Sequence, residues 1–125
     1  SQAPHVQIEE RRLTLQDFLK TLVKVNGSDL HLQADSVPLI RVDGRARFLD
    51  CPPISNESVL QYIKEMMTNP DHWKVFEQRG AVDISYAMPD GQARFRVNVM
   101  HSRMKYGMVM RRIITRIPDF ARLSY

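Results

Sequence analysis

The stretch Ala93-Arg94-Phe95-Arg96-Val97-Asn98-Val99 decides the fold class of this chain, because apolar and polar residues alternate through it without a break. A period of two residues is typical of a β-strand with one buried face and one face in solvent. A turn at Pro89-Asp90-Gly91 separates this strand from another alternating segment, residues 82–86. A third extended segment follows from about residue 106 to residue 114. We therefore predict three consecutive strands, the middle one carrying Arg94, Arg96 and Asn98 on its solvent face.

The N-terminal half predicts one helix followed by three more strands. Thr14 is a candidate helix N-cap with Asp17 three residues later, and apolar residues follow at helical spacing until Gly27, where the helix is expected to end. Residues 29–32 alternate as a half-buried strand does. Two further extended segments, residues 39–42 and 45–49, flank Asp43-Gly44, a pair that suits a tight type I′ hairpin.

Two helices are predicted between the two groups of strands. Ser55 is the N-cap candidate of the first, and Asn69-Pro70 ends it and opens a short second helix before Gly80. The order helix, three strands, two helices, three strands favours an α+β domain with a mostly antiparallel sheet and helices packed on one face. A length of 125 residues suits one such domain.

Positive charge is concentrated towards the C-terminus. Between Arg94 and Arg122, eight Lys or Arg residues stand against one acid, whereas the rest of the chain is slightly acidic. Arginines on neighbouring strands suit an anionic ligand rich in oxygen, since each guanidinium group is a planar set of donors that stays charged. The candidate ligands are nucleotide phosphates and a nucleic-acid backbone, and the alternative is a solvated strand face.

Several kinds of site are missing from the sequence. It has no G-x-x-x-x-G-K-[ST] segment for a P-loop and no paired His or Cys spacing for zinc. Cys51, the single cysteine, is expected to be a loop or packing residue in a reducing compartment. Asp29 and His31 are expected to share a structural hydrogen bond and not to form an acid–base pair. This chain alone is therefore not expected to be an enzyme.

Membrane insertion is also not expected. No apolar run approaches the roughly 18–20 residues that a membrane-spanning helix needs, and the polar N-terminus does not look like a signal peptide.

Three segments, taken together, resemble the N-terminal domain of the type IV pilus retraction ATPases, the PilT/PilU family within the type II and type IV secretion ATPases. Asn26-Gly27-Ser28-Asp29-Leu30-His31-Leu32 is similar to the family's GSDLHL signature. Arg94-Phe95-Arg96-Val97-Asn98-Val99 is similar to its RFRVN strand. The run from Gly107 to Ile113, followed by Arg116-Ile117-Pro118, is similar to the GMVLRRI…IP ending, closer to the PilU branch. The likeness covers about residues 14–125, although the family's Asn-Gln-Asn-Arg motif is replaced here by residues 101–104.

The resemblance implies a domain organisation. Residues 1–13 would form a flexible arm, residues 14–118 a PAS-like N-terminal domain, and residues 119–125 the start of a linker to a RecA-like ATPase domain. In the family six subunits form a ring that powers pilus retraction (twitching motility) or related secretion. The implied partners are RecA-like domains of the same and neighbouring subunits in a homohexamer, and pilus inner-membrane platform proteins. The implied location is cytoplasmic, peripheral to the inner membrane, with no nucleic-acid partner and no direct membrane insertion.

The resemblance also assigns roles to individual arginines. Arg96 and Arg111 match the positions that reach the γ-phosphate of ATP bound to the RecA-like domain, with Mg²⁺, in the full-length ring. The isolated domain is expected to hold no cofactor. Arg94 shares a face with Arg96 and is expected to be solvated or to support the site. Arg112 is expected to point away from Arg111 and to suit a subunit contact.

Two alternatives remain open on the sequence. A nucleic-acid-binding module would use the basic C-terminal strands and would need aromatic residues, such as Tyr106 or Tyr125, beside the arginines. A PAS-like small-molecule sensor would need a roomy internal pocket with convergent polar groups.

Overall fold

The computed structural model describes residues 13–114, which contain three helices and six strands. The helices are α1 (Leu15–Lys24), α2 (Asn56–Met66) and α3 (Pro70–Arg79). The strands are β1 (Asp29–Gln33), β2 (Leu39–Val42), β3 (Arg45–Phe48), β4 (Ala81–Ala87), β5 (Arg94–Ser102) and β6 (Lys105–Ile113). This is the predicted order of elements. No helix within this range is long and apolar enough to cross a bilayer.

The helix ends follow from capping residues. The Thr14 hydroxyl accepts a hydrogen bond from the Asp17 amide at 3.1 Å, and the Asp17 carboxylate accepts one from the Thr14 amide at 2.9 Å, which forms a capping box at the start of α1. Ser55 is the N-cap of α2 and Asn69 is the N-cap of α3, and both have an extended backbone conformation. Gly80 ends α3 in the left-handed conformation, with φ of 74°.

Gly27 was predicted to end α1, but the helix ends earlier, at Lys24. The helix is capped by Val25, and Asn26 takes the positive φ of 57°. Gly27 is needed because space is short: a Cβ there would lie 2.5 Å from Cδ1 of Leu22 and 3.1 Å from the carbonyl oxygen of Arg41. The glycine therefore lets α1 and β2 approach each other closely.

The six strands form one antiparallel sheet in the order β3-β2-β1-β6-β5-β4. Asp43 and Gly44 join β2 to β3 with φ of 52° and 78°, as a type I′ turn requires. Arg103 and Met104 join β5 to β6, also with positive φ values of 51° and 67°. The last strand reaches β1, which places the N-terminal hairpin and the C-terminal strands in the same sheet.

The hydrophobic core lies between the three helices and one face of the sheet. Alternate residues of the strands point into it, including the fully buried Phe95 and Val99 of β5 and Met110 of β6. Phe18, Leu22 and other apolar residues of the helices pack against them. The opposite face of the sheet carries the alternating polar residues, and none of the helices within residues 13–114 covers it.

This architecture confirms the α+β prediction of a mostly antiparallel sheet with helices on one face. The PAS-like designation stays a prediction. The predicted arm falls almost wholly outside the described range, as do the linker residues 119–125 and the motif residues Arg116 and Pro118.

Candidate anion-binding site

A row of charged residues crosses the open face of the sheet. Arg96 on β5 lies directly opposite Arg111 on β6. On its other side Arg111 lies opposite Asp29 of β1, and Asp29 lies opposite Arg41 of β2. At the far end Arg96 lies opposite Ser85 of β4. Since directly paired residues have Cβ atoms only about 4.5–5.5 Å apart, these side chains form one continuous surface, which we call the arginine row.

The arginine pair at the centre of this row is unfavourable without a ligand. The Arg96 and Arg111 side chains are exposed, the latter by 73%. Like charges directly opposite each other on an antiparallel pair destabilise the sheet. An anion with several oxygens would relieve that repulsion, because two guanidinium groups could donate to it together.

Asp29 is the neighbouring carboxylate, and sequence reasoning missed its role. Only 11% of its side chain is exposed, and its Oδ2 lies 3.6 Å from Nε of Arg111. The expected hydrogen bond between Asp29 and His31 is absent from the described residues, although the two side chains share a face as predicted. The physical reason is the register, because β6 brings a cation directly beside Asp29 whereas His31 lies opposite Val109.

The other arginines of the region have different surroundings. Arg94 is exposed, lies opposite Ile113, and has no ion pair or hydrogen bond within residues 13–114. Arg112 is half-buried, and its Nη1 donates to Oδ1 of Asn26 at 3.0 Å. Arg112 thus faces away from Arg111, as expected, and supports the loop before β1. Its contact with another subunit stays a prediction.

The geometry gives little support to stacking of nucleic-acid bases. Tyr106 shares the face of the buried Met108 and Met110, and its ring stacks on His101 with centroids 4.1 Å apart, so it does not stand beside the arginines. Phe48 is 73% exposed and does lie on the open face, but it belongs to β3, three strands away from β6. At about 4.8 Å per strand that is roughly 14 Å from Arg111.

Sites of other kinds find no support in the described part of the chain. No cluster of three His, Cys, Asp or Glu residues that could hold a metal ion occurs there. Burial, and secondarily the nearby Asp50 carboxylate, raises the pKa of the Cys51 thiol, which disfavours the nucleophilic thiolate. A broad groove between residues 50–55 and the side of α2 is open to solvent, unlike the enclosed pocket that a small-molecule sensor would need.

Comparison with known proteins gives two similar proteins of Pseudomonas aeruginosa. The chain is 36% identical over 105 residues, 84% of its length, to the type IV pilus retraction ATPase PilT, and 30% identical over 112 residues to the type IV pilus ATPase PilU. A twitching motility protein of Neisseria gonorrhoeae is 36% identical over 76 residues. The chain spans only 30% of the length of PilT and 29% of that of PilU. No protein-family model matches it.

The fold agrees with these sequence matches. A crystal structure of the pilus retraction motor PilT with bound ADP superposes with a TM-score of 0.76 at 30% identity, covering 89% of this chain and 32% of that one. The Legionella pneumophila ATPase DotB shares the fold at 20% identity, with a TM-score of 0.69. Sequence and fold together assign this chain to the N-terminal domain of the pilus retraction ATPases, the family of PilT and PilU.

Proposed function

We propose that this domain serves in a hexameric ATPase motor for type IV pilus retraction or related secretion, and that Arg96 and Arg111 reach the γ-phosphate of ATP bound to a RecA-like domain. The observation that carries the proposal is the direct pairing of these two arginines on an otherwise open sheet face. The PilT relative whose structure contains ADP supports a nucleotide as the anion. ATP with Mg²⁺ would be the nucleotide of the full-length parent.

The chemistry proposed for the pair is electrostatic. Phosphoryl transfer spreads negative charge over the oxygens of the transferred group, and a guanidinium placed beside them stabilises that charge in the transition state. Two guanidinium groups held on a rigid sheet would lose little mobility in doing so. The same contacts would act as a switch, because loss of the γ-phosphate removes the ligand that held the two domains together.

The isolated domain should have no ATPase activity and only weak affinity for ATP. Exposed ion pairs in water are worth about 1 kcal/mol or less each, so two exposed arginines without a P-loop and its Mg²⁺ cannot hold a nucleotide firmly. A RecA-like domain of the same or a neighbouring subunit is therefore the proposed partner, in a cytoplasmic homohexamer docked on the pilus platform proteins of the inner membrane.

The test is to measure ATP turnover and ATP affinity in the full-length parent protein. Arg96→Ala and Arg111→Ala should each lower kcat much more than they weaken ATP binding, with losses that reach about 10³-fold for an arginine finger. Arg→Lys should restore little at either position, since an ammonium group cannot reproduce the planar set of donors. Normal turnover in both alanine variants would exclude this assignment.

Arg94→Ala is the matched control. It removes the same charge from the same strand and face, one ladder row away from Arg96. Its kcat should stay within about twofold of wild type, since exposed substitutions away from a site have small effects. An equal loss in all three variants would indicate a general effect of positive charge and would contradict a specific role for the pair.

A further inference from the structure

The arginine row contains a carboxylate at the place where an anion site should avoid one. Among residues 13–114, Asp29 is the one charged residue that is buried, with 8% of its surface exposed. A buried carboxylate is unfavourable unless it is paired with a cation or accepts hydrogen bonds. Arg111 supplies its ion pair. Arg41 lies opposite Asp29 on the other side, but its Nη1 donates to the carbonyl oxygen of Gly44 at 3.3 Å.

The ion pair with Asp29 uses Nε of the Arg111 guanidinium and not its terminal nitrogens. The contact is made by Nε, and the long separation of 3.6 Å makes it looser than a bidentate pair. Arg111 makes no other polar contact within the described residues, and its side chain is 73% exposed. The two terminal nitrogens therefore remain available to an incoming anion while Nε is tethered.

The position of Asp29 also reinforces the effect of Arg96 on the Arg111 side chain. Arg111 has a cation on one side, in β5, and an anion on the other, in β1. Both neighbours act in the same direction, since Arg96 repels the guanidinium group and Asp29 attracts it. Both interactions therefore favour separation of the two guanidinium groups on the open face.

We propose that Asp29 is the positioning residue of Arg111. We also propose that its charge sets how much negative charge an anion must carry in order to bind the arginine row. The carboxylate tethers the guanidinium through Nε when the row is empty. Its charge also cancels part of the positive field of the two arginines and so weakens anion binding. Because the net attraction that remains grows with the charge of the anion, a singly charged anion gains little and an oxyanion with several charges gains more. The assignment of that oxyanion to the phosphates of a nucleotide rests on the function proposed above. The tether itself rests only on the geometry of β1, β6 and β5.

The test uses this 125-residue chain with inorganic tripolyphosphate as the probe, at an ionic strength of about 0.1 M, where the Debye length is about 10 Å. The side-chain Nε–H signal of Arg111 is followed by NMR during the titration. In the wild type this signal should move on addition of the probe. Asp29→Asn, which keeps the volume and removes the charge, should bind tripolyphosphate about fivefold more tightly, the size expected for removing one charge that acts on exposed arginines.

A matched control is available at Asp35. This aspartate also forms an ion pair with a residue of β6, at 3.1 Å from Nζ of Lys105, but it lies outside the arginine row. Its φ of 63° suits asparagine, so Asp35→Asn removes the same charge without backbone strain. Its partner Lys105 lies six residues along β6 from Arg111, roughly 20 Å away. Tripolyphosphate affinity in this variant should stay within about twofold of wild type, because that separation exceeds the Debye length of about 10 Å at 0.1 M salt.

Asp29→Ala separates positioning from charge. It removes the tether as well as the charge, so the Arg111 Nε–H group should become more mobile, with a lower order parameter than in the wild type. Equal order in the wild type and Asp29→Ala, or equal affinity in the wild type and Asp29→Asn, would overturn the inference. If neither variant folds, the wild-type titration still decides, since an Nε–H signal that tripolyphosphate leaves unmoved also overturns it.

The same variants in the full-length parent distinguish failure of this inference from failure of the proposed function. Asp29→Ala should lower kcat severalfold while ATP affinity is kept or increased. If Arg111→Ala keeps full turnover but the NMR results hold, the nucleotide assignment is wrong and the tether stands. If Arg111→Ala abolishes turnover but Asp29→Ala changes neither kcat nor the Arg111 signal, the tether is wrong and the nucleotide assignment stands.

Discussion

Neutralising the two arginines of the row should change the stability of the isolated domain in opposite directions. Arg96→Gln removes one of two like charges that lie directly opposite each other and breaks no ion pair or hydrogen bond within residues 13–114. Cross-strand pairs contribute about 0.2–1 kcal/mol, so relief of this repulsion should stabilise the domain by an amount in that range. The sheet would thus become more stable when its proposed ligand-binding charge is lost.

Arg111→Gln relieves the same repulsion but leaves the Asp29 carboxylate without its cation. An unpaired polar group that is largely buried costs about 1–3 kcal/mol, and the carboxylate side chain is only 11% exposed. The upper end of that range is discounted because Arg111 itself is mostly in solvent and the pair is long. After subtracting the relieved repulsion, we expect a net loss of about 1 kcal/mol.

The assay is thermal and urea unfolding of the 125-residue chain and its variants at low ionic strength. For a domain of this size 1 kcal/mol corresponds to about 3–5 °C in Tm, so Arg96→Gln should raise Tm by a few degrees and Arg111→Gln should lower it by roughly 3–5 °C. Adding Asp29→Asn to Arg111→Gln should recover most of the loss, which a double-mutant cycle measures. If both single variants shift Tm in the same direction, the ion-pair argument for Asp29 is refuted.

Three further predictions concern packing at a glycine, a side-chain hydrogen bond to β6 and the reactivity of the cysteine. Gly27→Ala should destabilise the domain by about 2 kcal/mol or more, since its Cβ would lie 2.5 Å from a leucine of α1, whereas Gly107→Ala, with neighbours no nearer than 3.6 Å, should be nearly neutral in urea unfolding. Asn56→Ala should speed hydrogen exchange at the Tyr106 amide and cost about 1 kcal/mol, because the Asn56 side chain accepts from that amide at 2.8 Å. The Cys51 thiol should react with a disulfide reagent more slowly than free cysteine at neutral pH and faster as pH rises, because its raised pKa keeps the thiol protonated; a faster reaction at neutral pH would contradict the burial argument.

Local pattern was enough to predict every helix and strand of the described region. Strict alternation predicted β4 and β5, and capping residues predicted where the helices start. Asp43-Gly44 predicted the hairpin turn. Alternation also placed Arg94 and Arg96 on one face of β5. These predictions succeeded because each depends on residues a few positions apart, where backbone geometry alone decides the outcome.

The pairing of Arg96 with Arg111 could not be read from the sequence. It depends on the turn between β5 and β6, where Arg103 and Met104 take positive φ values that favour glycine or asparagine. Nothing in those residue types signals a two-residue turn. One extra residue in that turn would shift the register and move Arg111 away from Arg96.

The role of Asp29 was missed for a different reason. Its partner Arg111 is more than eighty residues away in the chain, and the pairing of β1 with β6 is a matter of sheet order. An alternating strand records which face a residue occupies, but it carries no information on which strand lies beside it. The sequence therefore predicted His31 as the partner of Asp29, and not Arg111, the cation that the fold places next to it.

The like-charged arginine pair on this sheet face is consistent with a site that a ligand completes. A domain selected only for its own stability would gain nothing from two arginines opposite each other on an antiparallel pair. A ligand that binds only the folded form contributes its binding free energy to folding, so an anion held between them would return what the empty pair loses. Asp29 limits that loss in the empty state, because it attracts one of the two guanidinium groups away from the other. The charged row thus combines a destabilising pair with a tether that makes the pair tolerable, which is the arrangement expected where a binding surface must persist while its ligand comes and goes.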